Sequence, residues 1–260
     1  MICAEKDKVQ RMISSLEEGH CSRRIKSHYF AYGTGYDFAR LFTVKKGGCE
    51  LGLISVFNSA MTVSNFEDKG FDDEDIEELA QFVFLNKPES VEISPEYADK
   101  MERYLKGCYF SITRNELCYA HMGCEALACV DENPRLETAF NILSEAFEEL
   151  KGSEGLWITE ASHRIRHGIS RFFTLENAAA AMVVYAIDGT AFVEYVGTRA
   201  KLRNRHFAER LLRFIGEKYT AAGFEVRLFA CDELVEFYER IGFERIGQDK
   251  ILQLYERERI

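Results

Sequence analysis

Two short stretches of the chain hold side chains whose types and spacing could do group-transfer chemistry. The first is Arg203-Asn204-Arg205-His206-Phe207-Ala208, which follows an apolar run and opens directly into an amphipathic pattern. A helix N-terminus presents unpaired N–H groups at the positive end of the macrodipole, so this junction can hold a pyrophosphate. Arg203 and Arg205 add positive charge, and the small Ala208 lets the helix start approach a ligand closely. The second stretch is Phe237-Tyr238-Glu239-Arg240-Ile241-Gly242-Phe243. Its Tyr238 is either a core aromatic on an amphipathic helix or a phenolic proton donor.

The elements that must carry these stretches can be read from periodicity. Residues 126–131 form an apolar run stopped by Glu132, Asn133 and Pro134, which predicts a strand and then a helix that starts at the proline and ends before Gly152. A second helix is expected over 157–167, and strands over 171–175, 179–187 and 191–198. Asp188-Gly189 joins the last two as a hairpin, because both turn positions need positive φ. Then come a helix over 205–222, a strand over 224–230, a helix over 232–241 and two closing strands over 243–246 and 251–255. This order implies a mixed sheet flanked by helices.

The first 125 residues give a blurred version of the same ending. Strands are expected over 40–44, 50–63, 91–93 and 108–113, and helices over 72–85 and 95–105. The parallel suggests duplicated halves, although residue identity between them does not establish a repeat.

Val196-Gly197-Thr198, Arg203-x-x-His206-x-Ala208 and the stretch around Tyr238, in that order, resemble the motifs of the GNAT superfamily of N-acetyltransferases. Two motifs in the right order on the right elements are far more specific than either alone. The resemblance covers about the last 125 residues. It implies an α/β fold of tandem GNAT-like domains, a degenerate one over 1–125 and a catalytic one over 126–260. It also implies acetyl-CoA as cosubstrate and direct acetyl transfer to a primary amine.

In that family the strand carrying Val196, Gly197 and Thr198 offers backbone groups to the pantetheine arm and polarises the thioester carbonyl. Arg203, Asn204, Arg205, His206, Phe207 and Ala208 match the pyrophosphate loop, in which His206 stands where the family has glycine. The strand over 224–230 is expected to splay away to admit the cofactor. Cys231 replaces the asparagine that opens the next helix. Tyr238 matches the tyrosine that protonates the leaving thiolate, and a phenol of ordinary pKa near 10 still carries its proton where a thiol at about 8.5 begins to lose its own. Glu194 is the candidate general base, with an exposed strand carboxylate as the alternative. Glu160, His163 and Arg164 match the acceptor-facing helix in position, with solvated polar positions as the alternative.

The N-terminal half has Asp68-Lys69-Gly70 and Asp72-Asp73 where an arginine-rich loop would stand. Acidic residues repel pyrophosphate, so one cofactor per chain is expected. His206 and Cys231 sustain a second reading, a noncatalytic acyl-CoA sensor or interaction module.

Composition sets outer bounds. The 260 residues are 47% hydrophobic and 29% charged, which suits a folded globular protein. A net charge of -10 opposes a nucleic-acid partner. The longest apolar runs are too short to span a bilayer and no signal pattern stands at the N-terminus, so a cytoplasmic protein with no membrane partner is expected. Its acceptor is expected to be a small-molecule amine, and its oligomeric state is open. Eight irregularly spaced cysteines fit free thiols. Cys118, His121, Cys124 and Cys129 could in principle bind zinc, but the spacing is not a paired knuckle and no metal is expected.

Overall fold

The computed structural model describes residues 2–3, 6–120, 123 and 129–255. The chain folds as two compact units, one of 1–114 with 248–260 and the other of 115–247. This departs from the expected break between 125 and 126. The reason lies in two long strands, β6 (Tyr109–Tyr119) and β12 (Phe243–Leu254), each of which supplies residues to both units. The expected pair of closing strands is one continuous strand, and its last residues return to the first unit.

The first unit runs β1 (Ile2–Cys3), α1 (Lys6–Ser14), α2 (His20–Tyr32), β2 (Ala39–Lys46), β3 (Cys49–Phe57), β4 (Ala60–Asn65), α3 (Asp73–Asn86), β5 (Ser90–Glu92) and α4 (Pro95–Tyr104). Strands β1 to β4 are antiparallel neighbours, β4 pairs with β5 in parallel, and Ile251–Gln253 of β12 closes the edge of β5. The single strand expected over 50–63 is a hairpin, because Asn58 takes a φ of 51° and turns the chain. Asparagine tolerates that left-handed conformation better than other side chains. Helices α1 and α2 had no expectation. Their core face is built from Val9, Met12, Ile13 and Ile25, packed with Leu16 from the segment between them and with Leu41 and Leu53.

The second unit runs β7 (Val130–Asp131), α5 (Leu136–Leu143), α6 (Glu154–Arg166), β8 (Arg171–Leu175), β9 (Ala179–Ile187), β10 (Thr190–Thr198), α7 (Phe207–Ala221), β11 (Glu225–Ala230) and α8 (Asp232–Arg240). β7 through β10 are antiparallel neighbours, β10 pairs with β11 in parallel, and β11 pairs with Asn115–Cys118 of β6. Asp188 and Gly189 take φ of 49° and 70° in the expected hairpin turn. The helix expected to run to Gly152 ends at Leu143, where the chain turns and brings Ala146 and Phe147 toward β10. Helices cover both faces, over a core of Phe173, Val193, Leu211, Ile215 and Leu228 on one side and Phe140, Leu143, Phe172, Tyr185 and Phe192 on the other.

Helix α7 sits close to β6 because Gly216 carries no side chain. A Cβ there would stand 2.6 Å from ring atoms of Tyr119, whose hydroxyl donates to Glu217 at 2.9 Å. We expect Gly216→Ala to lower stability by about 1–2 kcal/mol, the crowding outweighing the roughly 1 kcal/mol that alanine gains in helix propensity. An unchanged or raised melting midpoint by calorimetry would contradict this packing. Among the described residues, no helix is long and apolar enough to cross a membrane.

Candidate functional site

The site starts from a defect in β10. Its register against β9 runs Glu194 to Met182 and then Gly197 to Ala180, so Tyr195 and Val196 together stand against Ala181. Tyr195 takes a φ of 52°, which re-aims the strand as a β-bulge. On its other side β10 pairs with β11 only from Thr190 to Phe192. On its opposite edge β11 continues to pair with β6, from Arg227 to Ala230. The two parallel strands therefore part company after Phe192, and a wedge opens between them. This is the splay that the sequence resemblance implied.

Beyond β10 the loop is fastened by Glu145. Its carboxylate accepts from the Ala200 N–H at 2.9 Å and pairs with Arg199 at 2.6 Å, while its carbonyl accepts from Arg203 at 3.1 Å. The Ala200 N–H, with Arg199 and Arg203 beside it, holds the Glu145 carboxyl below the usual range. Arg199 also donates to the Asn177 carbonyl, so the loop is tied on two sides. Nothing in a motif search marks Glu145 or Arg199, because their role is to position other residues.

The loop then passes through two left-handed residues, Asn204 at φ 60° and His206 at φ 59°. A glycine adopts this conformation freely, whereas histidine does so at a cost of order 1–2 kcal/mol. His206 therefore adopts a backbone conformation that suits the glycine expected at this position. Its imidazole Nδ1 lies 2.7 Å from Glu209, which also pairs with Arg213 at 3.2 Å. Helix α7 begins at Phe207 with no side chain capping its N-terminus. Its first N–H groups are thus left for a ligand or solvent.

The bulge, the loop and the helix start enclose one cleft of about 850 Å³. It brings together Val196, Gly197, Thr198, Arg203, Asn204, His206, Phe207 and Ala208, and the sequence reading missed Phe147, Leu234, Phe237 and Arg240 in its wall. Gly197 lets the loop after α5 approach closely, since a Cβ would stand 3.1 Å from Ala146 and 3.2 Å from Leu143. Arg205 is exposed and outside the lining, as is Cys231 at the N-terminal cap of α8. Burial and the nearby Glu233 push the Cys231 thiol up, which disfavours the nucleophilic thiolate.

Tyr238 is also outside the cleft lining. It is 7% exposed and packs edge-on against Phe237 and Phe243, at ring distances of 5.1 and 5.6 Å. Burial, and then the neighbouring Cys231, push its phenol up to about 12. It is therefore protonated throughout the neutral range.

The acceptor candidates are dispersed. Glu194 is half-buried where the bulge begins, and Glu160 and His163 are half-buried on α6, where His163 stacks on His167 at 4.5 Å. None of the three lines the cleft. Arg164 departs from the expectation. It is 4% exposed, and its guanidinium donates to the Val184 carbonyl at 2.8 Å and to Ser170 at 2.9 Å. The buried position uses it to join α6 to β9, not to meet an acceptor.

The first unit closes off both features that make this cleft. The start of α3 is capped by its own carboxylates, with Asp72 accepting from the Asp75 N–H and Asp75 accepting from the Asp72 N–H. Lys46, followed by the Asp75 N–H, holds Asp72 down at about 2. Beyond Thr62, the edge of the β4 course that faces β5 is taken by the segment between α1 and α2. Glu17 N–H donates to the Asn65 carbonyl at 3.0 Å and Glu67 N–H to the Ser15 carbonyl at 2.8 Å. Between them Leu16, 4% exposed, is buried with Ile25, Leu41, Leu53 and Phe66.

Among the described residues no group of three or more His, Cys, Asp or Glu side chains is placed to hold a metal ion. His121 and Cys124 lie outside the described residues.

No family model matches the chain, and no curated protein sequence matches it. Solved structures do resemble it. A Drosophila protein superposes with a TM-score of 0.67 at 9% identity, over 97% of each chain. A GCN5-related N-acetyltransferase from Sphaerobacter thermophilus gives 0.63 at 12% identity over 97% of this chain and 94% of its own. Another from Kribbella flavida gives 0.62 at 14% identity over 92% and 96%. With strands that part beside a bulge and near full-length superposition on such structures, the chain has the fold of the GNAT acetyltransferases.

Proposed function

We propose that the second unit binds acetyl-CoA and transfers its acetyl group directly to a primary amine of a small-molecule acceptor. The observation that carries this reading is the meeting, in one cleft, of the bulged end of β10, which has no β11 pair beyond Phe192, and a helix N-terminus without a side-chain cap. Bound acetyl-CoA supplies an activated acyl group as a thioester.

The N–H groups at the start of α7 hold the pyrophosphate, with Arg203 beside them. Val196 and Gly197, beyond the last pair of β10 with β11 at Phe192, aim backbone groups at the pantetheine arm and the thioester carbonyl. Tyr238 keeps its proton and donates a hydrogen bond to the departing sulfur. A phenol near 12 would lose its proton to a thiolate of about 8.5 only uphill, so stabilisation of the thiolate fits better than full proton transfer. Glu194, beside the bulge, accepts the proton that the acceptor amine gives up.

A thiol-release screen with acetyl-CoA across a broad panel of small amines tests the reading. Release above background with at least one amine supports it. Tight acetyl-CoA binding without release on any amine would favour a noncatalytic acyl-CoA sensor. With the first unit's helix start capped by Asp72 and Asp75 and the β4 edge beyond Thr62 occupied by residues 15–17, we also expect one acetyl-CoA per chain. Calorimetry resolving two equivalent sites would contradict that assignment.

A further inference from the structure

A second cleft, of about 520 Å³, lies at the other end of α7. Helix α7 is 15 residues long, so this cleft stands roughly 20 Å from the pyrophosphate loop and no residue is common to the two linings. Its volume falls within the range of small-ligand pockets. None of the proposed chemistry uses it.

The floor is apolar and partly aromatic, formed by Phe172, Tyr219 and Phe224 with Ile169 beside them. The rings of Tyr219 and Phe224 meet at 5.9 Å, nearly at right angles, so a flat body can lie along a wall already fixed in place. The mouth carries Arg166, Arg171 and Lys218 against one carboxylate, Glu132. Glu132 is held by Lys218 at 2.8 Å and by Arg171 at 3.7 Å. Arg166 donates through Nε to the Ser162 carbonyl at 3.3 Å, which points its fork along the rim.

The sign and size of the ligand charge follow from these groups. The C-terminal ends of α6 and α7 both reach the cleft, and each contributes about half a negative charge. Three cations against one carboxylate and two such helix ends leave about one positive charge over an apolar floor. That balance suits a monoanion with a flat apolar body and gives nothing to a dianion or to a cation.

We propose that this cleft is a binding site for a small aromatic monoanion, an aryl carboxylate or sulfonate, separate from the acyl-transfer site. The test titrates the full chain with 8-anilinonaphthalene-1-sulfonate and follows its fluorescence, then competes with benzoate and with CoA. One saturable site, displaced by benzoate and not by CoA, is expected. Arg166→Glu, at an exposed rim position, should weaken binding about tenfold. Ala222→Trp, exposed at the mouth, should block it, and near-ultraviolet circular dichroism checks that both variants stay folded. Absence of saturable binding, displacement by CoA, or binding unmoved by both variants would overturn the proposal. Because no readout involves acetyl transfer, these outcomes are independent of the catalytic reading.

Discussion

An Ala208→Glu variant is expected to bind acetyl-CoA about a hundredfold more weakly than the parent chain while melting no lower. Ala208 lies in the first turn of α7 and lines the cleft. A carboxylate there favours the helix by about 0.3–1 kcal/mol through the macrodipole, so the fold is not put at risk. The same charge about 5 Å from a dianionic pyrophosphate costs on the order of 3 kcal/mol at an effective dielectric of roughly 40. That is about a hundredfold in affinity. The first unit already carries this arrangement, with Asp72 and Asp75 at the start of α3. Calorimetric titration of Ala208→Glu beside Ala208→Gln separates charge from bulk. Equal losses in the two variants would remove the pyrophosphate from this helix end.

Tyr238→Phe is expected to lower turnover roughly 10- to 100-fold and to leave acetyl-CoA affinity within about twofold. The range corresponds to one hydrogen bond to a charged group, worth about 1.5–3 kcal/mol in the step where the thiolate forms. Removing the hydroxyl keeps the ring contacts with Phe237 and Phe243, so packing is conserved. The raised phenol also sets a pH signature. Tyr238 is protonated below about 12, so it contributes no descending limb to the rate profile between pH 7 and 10. Turnover of the phenylalanine variant equal to the parent's, measured where chemistry limits the rate, would exclude Tyr238 from the reaction.

Much of the cleft was legible in the sequence because it is lined by residues close together in the chain. Thr198, Arg203, His206 and Ala208 lie within one strand-to-helix junction, and backbone geometry alone brings them into a single cleft. The departure at His206 was visible as a wrong residue type. Only its φ of 59° shows that the backbone conformation there suits a glycine, with the imidazole turned to Glu209. The placement of the α6 candidates was not legible for the opposite reason. Glu160, His163 and Arg164 sit on one helix with mixed faces, and a position on a helix does not say which face is buried. Arg164 turned inward to satisfy the Val184 carbonyl, a partner 20 residues away.

The sequence by itself determined the local events: the Asp188-Gly189 hairpin, the start of α7, the acidic start of α3 and the order of strands in the second unit. Each depends on neighbours a few residues apart, whose conformational preferences act whatever else the chain does. Tertiary structure decided the rest. That β6 and β12 each serve both compact units, that residues 15–17 occupy the β4 edge and that Glu145 fastens the loop at Arg203 all depend on partners far apart in the chain. Such pairings follow from which hydrogen-bonding edges and apolar faces are still unsatisfied once the local elements have formed.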